Sequence, residues 1–153
     1  MDVLEQHDWL FSLVFLAAAV FVLWLRDTRR ARGNSELKQR YGRRALIFFF
    51  WAGLPWAVIG IGILSGQIAS TDDAFNLHRG VFPLLSIASI VAVWIALLYW
   101  LFARGGAEEL AESGQLHFGL SRVTDPGTIK LLFVAMIAGG VLGLLAFIIA
   151  NTQ

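Results

Sequence analysis

Cysteine is absent from this 153-residue chain, which excludes disulfides, thiolate metal sites and a cysteine nucleophile. Charge is scarce too. Lys, Arg, Asp and Glu make up 15% of the residues, against about 25% in ordinary soluble domains. That charge keeps out of four apolar stretches, residues 9–25, 45–64, 81–103 and 129–150, with the single exception of Lys130 at the margin of the last. A bilayer core is about 30 Å thick and takes about 20 helical residues to cross, and charge is rare inside it unless it has a task. The pattern predicts an all-α integral membrane protein, a bundle of four transmembrane helices in a single membrane domain over residues 1–153. Too little chain lies outside the spans to bury a separate soluble core.

The same absences narrow the mechanism. Acid-driven exchange needs a carboxylate in a span, and there is none. Haem held between helices needs axial ligands at membrane depth, yet His7, His78 and His117 all fall in loops. Their spacing makes no metal site. No catalytic residue, metal or cofactor is expected, which leaves a bound lipid or pigment as the only small-molecule companions to look for.

The charges that are present sort by loop. Between the first two stretches, Arg26, Arg29, Arg30, Arg32, Lys38, Arg40, Arg43 and Arg44 stand against Asp27 and Glu36, a net charge of +6 from eight bases and two acids. The positive-inside rule makes this loop cytoplasmic. The second loop has Arg79 against Asp72 and Asp73, the third carries Arg104, Arg122 and the marginal Lys130, and neither tail has a base. Both termini are therefore expected outside. The acidic residues Asp2, Glu5 and Asp8 ahead of the first stretch are opposite in sign to a signal peptide's basic start, so that stretch reads as an anchor. Trp9 and Trp24, about 22 Å apart along a helix, suit its two interfaces. Gly33-Asn34 followed by Ser35 predicts a helix stop and an N-cap, hence a tight helical hairpin. In the third loop, residues 107–112 form a short amphipathic segment with Leu110 toward the interface, ended by Ser113-Gly114, and Thr124-Asp125-Pro126 reads as a cap with proline first in the next helix.

Three groups of residues are candidates for work. Ala135, Gly139 and Gly143 recur every four residues in the fourth span; Ala88, Ala92 and Ala96 do so in the third, and Gly62 with Gly66 at the end of the second. Small residues at this spacing let helix backbones approach in lipid, where the hydrophobic effect no longer drives association. Pro55, midway along the second span, cannot donate its backbone bond to Trp51 and is expected to kink the helix, so Trp51, Pro55 and Trp56 with Ser86, Ser89 and Trp94 could frame an intramembrane pocket. Arg29, Arg30, Arg32, Arg40, Arg43 and Arg44 form a basic cluster suited to lipid headgroups or an acidic partner.

The expected partners are the bilayer and a membrane protein or second copy of the chain, not nucleic acid. The leading expectation is a non-catalytic subunit of a membrane complex or homo-oligomer, with a small transporter or channel for a neutral or weakly polar solute at the Pro55 kink as the alternative. A bacterial cytoplasmic membrane is the expected location.

Overall fold

The computed structural model describes residues 8–31, 33–113, 117–118 and 121–152. Five α-helices account for most of them: α1 (Asp8–Arg30), α2 (Ser35–Leu64), α3 (Val81–Ala103), α4 (Gly106–Ser113) and α5 (Pro126–Thr152). The one extended feature among the described residues is a two-residue antiparallel ladder, β1 (His117–Phe118) with β2 (Ser121–Arg122). Four helices carry stretches long and apolar enough to cross a membrane: Asp8–Arg29, Lys38–Leu64, Val81–Ala103 and Pro126–Ala150. The fold is thus the all-helical, four-span class. The chain divides into two compact units, Met1–Ile90 and Val91–Gln153, and α3 belongs partly to each.

Helices outrun the apolar stretches. α1 continues past Leu25 to Arg30, and α2 starts ten residues before Ala45. Backbone hydrogen bonding does not stop at the hydrocarbon edge, and long basic side chains keep their charged ends in water while their stems lie on the helix. At about 45 Å, the 30-residue α2 is longer than the bilayer core is thick, so its basic first turns project beyond it.

In the first unit, α1 and α2 form an antiparallel hairpin. Ala31 N–H donates to the Asp27 carbonyl at 3.0 Å, Asn34 N–H to the Ala31 carbonyl at 3.0 Å, and Gly33 turns the chain at φ +94°. The first helical bond of α2 runs from Lys38 N–H to the Asn34 carbonyl at 3.2 Å. Asn34 thus occupies the cap position and Ser35 the first helical one, a residue earlier than the sequence pattern suggested. The two helices meet through glycine. Trp24 lies beside Gly42, Leu13 and Leu16 reach Gly53, and Trp9 lies against Gly60 so closely that any Cβ there would overlap the indole.

At the other end of the hairpin, α2 closes with a Schellman motif. Gly66 adopts φ +70°, its N–H reaches the Ile63 carbonyl, and Gln67 N–H reaches the Gly62 carbonyl, both at 3.0 Å. The chain then folds back: Ile68 and Ala74 are buried with Ile59 in a cluster completed by Trp9, Trp56, Ile63, Phe75 and Phe82. Asp73 fixes this loop. Its Oδ2 accepts from Ala69 N–H at 3.1 Å and lies 3.5 Å from Arg79, while Asn76 caps a 3-10 turn over Leu77–Arg79.

In the second unit, α4 packs on the junction of α3 and α5. Leu101, Ala107 and Ile129 form its core, with Trp100, Leu110, Ala111, Val123 and Phe133 around them. Leu110 was expected on the membrane interface; here it packs on protein, because Gly106 lets Trp100 close over the start of α4. Asp125 caps α5, its Oδ2 accepting from the Thr128 N–H at 2.6 Å and hydroxyl at 2.7 Å, and Pro126 takes the first helical position as expected. Lys130 leaves the apolar stretch by pairing with Glu108 at 2.8 Å, and its ammonium lies 5.7 Å from the centre of the Phe102 ring.

Candidate functional site

The α5 face is the first candidate. On three successive turns it presents Ala135, Gly139 and Gly143, all exposed, and a Cβ built on either glycine meets nothing within 4 Å. The neighbouring Gly140 is covered instead: a Cβ there would come within 2.9 Å of Cζ2 of Trp94. The indole lies between α3 and α5 at this turn, and no atom of Ala92 or Ala96 comes within 4 Å of a Cβ built on Gly139 or Gly143. Ala88 and Ala92 are exposed and Ala96 half-buried. Gly62 packs against Ile68 and Phe82, whereas Gly66 lies beyond α2 as its terminator.

The glycines that pack α1 on α2, Gly42, Gly53 and Gly60, escaped the four-residue search. Their spacings are 11 and 7, which at 3.6 residues per turn are close to whole turns, so all three share one face of α2. Testing spacings near 7 and 11 would have found them.

The residues named around Pro55 have the following surroundings. α2 continues as helix through Pro55. Trp51 is 46% exposed, while Trp56 belongs to the cluster with Ile59 and Ile68. Ser86 and Ser89 are buried, but their hydroxyls donate to carbonyls of their own helix, Phe82 at 2.9 Å and Ser86 at 2.7 Å. Trp94 lies on Gly140 in the second unit.

The basic end of the hairpin holds a shallow, open cleft of about 390 Å³ lined by Trp24, Thr28, Arg29 and Lys38, with both bases exposed. On the same hairpin, Arg26 lies 3.7 Å from Asp27, and the Arg44 guanidinium sits 5.9 Å from the centre of the Tyr41 ring. Arg40 and Arg43 are exposed on α2. Arg32 and the side chain of Arg30 lie outside the described residues, as do His7, Gly114 and the His117 side chain.

Two carboxyls outside the spans are held below their usual range. Glu108 is lowered chiefly by its hydrogen bond from Lys130, and Asp125 by hydrogen bonds from the Thr128 hydroxyl and N–H. Both serve the fold of the second unit. Among the described residues no group of three or more His, Asp or Glu side chains could hold a metal ion. No family model matches this chain, and comparisons with curated proteins and with solved structures find no similar one.

Proposed function

We propose that this is a non-catalytic membrane subunit whose α5 face docks onto a transmembrane helix of a partner protein or of a second copy. One observation carries the reading. Ala135, Gly139 and Gly143 align on α5 with open space before both glycines, while the adjacent Gly140 is already occupied by Trp94. Without a hydrophobic driving force in lipid, a smooth glycine strip associates through close backbone packing. The basic hairpin fixes the orientation of the subunit, and a bacterial cytoplasmic membrane is the location that goes with it.

The absence of native cysteine makes the test clean. Gly139→Cys and Gly143→Cys, oxidised in native membranes, should each give one discrete crosslinked species, with a second copy or with a co-purifying protein. Gly139→Leu and Gly143→Leu should abolish the assembly in mild detergent. A lone monomer whose behaviour both leucine variants leave unchanged sinks the reading.

A further inference from the structure

We propose that the cleft at the basic end of the α1–α2 hairpin binds the phosphate of an anionic phospholipid, whose hydrocarbon begins beside Trp24. The cleft is walled by both helices: Trp24, Thr28 and Arg29 come from α1 and Lys38 from α2. Its chemistry changes with depth. Thr28 lies one turn, about 6 Å, beyond Trp24 along α1, so the indole stands at the hydrocarbon edge while Arg29 and Lys38 stand at headgroup height.

The polar contacts to a ligand fall to the two bases. The Thr28 hydroxyl donates to its own helix, toward the carbonyls of Trp24 at 2.8 Å and Leu25 at 3.1 Å. Three described bases stand near acids, Arg26 at 3.7 Å from Asp27, Arg79 at 3.5 Å from Asp73 and Lys130 at 2.8 Å from Glu108, whereas Arg40, Arg43 and Arg104 do not. Arg29 and Lys38 have no carboxylate partner among the described residues. Two cations lining one cleft suit a phosphate, and a guanidinium can take two of its oxygens at once. The indole wall selects among phosphates, because an inorganic ion gains nothing from it and a lipid does. Gly42 of α2 lies beside that wall, where a Cβ would stand 3.6 Å from the Trp24 Nε1, in ordinary contact.

Native mass spectrometry of the purified full-length chain, titrated with phosphatidylglycerol or phosphatidylcholine, tests the site. The wild-type chain should retain phosphatidylglycerol in preference. Changing Arg29→Gln and Lys38→Gln together should weaken that binding about thirtyfold and leave phosphatidylcholine unchanged, while Arg79→Gln has no effect. Thr28→Trp keeps both charges but fills the cleft, and should also abolish the preference, which guards against a double variant that does not fold. Equal retention of the two lipids, insensitivity to either variant, or displacement of the lipid by millimolar inorganic phosphate overturns the proposal. The outcome is independent of the α5 face, whose crosslinks these substitutions should not alter.

Discussion

The indole of Trp94 occupies the space in which a side chain on Gly140 would stand, with its Cζ2 only 2.9 Å from the position of a Cβ. One turn of α5 thus has two kinds of glycine. Gly140 receives a neighbour from the same chain, and Gly139 receives none within 4 Å.

The two should therefore respond differently to the same substitution. Gly140→Ala forces Trp94 or α5 to shift and should cost about 1–3 kcal/mol, the usual range for overpacking. Gly139→Ala should leave the stability of the monomer within about 0.5 kcal/mol of wild type. Thermal unfolding in detergent, followed by Trp fluorescence, compares them; equal effects would contradict the packing described.

The hairpin offers a second contrast. A Cβ on Gly60 overlaps Trp9, whereas one on Gly42 only reaches ordinary contact with Trp24. Gly60→Ala is expected to destabilise the α1–α2 pair by about 1–3 kcal/mol, with Gly42→Ala near neutral. Adding Trp9→Ala to Gly60→Ala should cancel part of the overlap, which a double-mutant cycle would read as a non-additive gain.

Asp73 is expected to hold the loop between α2 and α3 in shape. Asp73→Ala removes both the acceptor for Ala69 N–H and the partner of Arg79, at a cost of about 1–3 kcal/mol. Asp73→Asn keeps a carbonyl for Ala69 and should lose less. Limited proteolysis of the loop would rank the variants, and the prediction fails if Asn is as damaging as Ala.

Acid should loosen the second unit late. Glu108 and Asp125 have lowered folded-state pKa values, so each contributes stability that is fully present above its unfolded value, near 4, and is lost as pH falls through the lower folded value. Amide exchange at Thr128 should stay slow down to the ordinary carboxylate range and quicken only below it. Asp125→Ala should quicken it several-fold at neutral pH and remove the acid dependence.

Orientation is open to direct measurement. Single cysteines at Asn151 and Ser70 should react with an impermeant thiol reagent added from outside, and one at Gly33 only after the membrane is permeabilised. The reverse pattern would invert the topology drawn from the eight bases around the hairpin.

Much of the fold was legible because bilayer chemistry acts on single residues. Excluding charge from hydrocarbon places the spans, Asp125-Pro126 starts α5, and Gly33-Asn34 breaks the chain between α1 and α2. The misplacements have local causes. Asn34 and Ser35 can both cap, and only the turn at Gly33 selects the first. Leu110 reads as interfacial because an amphipathic segment does not reveal whether its apolar side meets lipid or protein. The glycines that pack α1 on α2 recur at 11 and 7 residues, outside a four-residue pattern.

By itself the sequence determined that this chain has four stretches long and apolar enough to cross a membrane and how its charges sort between them, since both follow from the transfer cost of individual side chains. Only the tertiary structure decided which glycines are occupied. Gly42, Gly53, Gly60 and Gly140 each face a side chain from another helix, while Gly139 and Gly143 face open space. Lipid tails are as apolar as leucine, so composition cannot tell a helix face that meets protein from one that meets lipid. The same holds for Arg29 and Lys38, nine residues apart in sequence and brought to one cleft only because the hairpin closes.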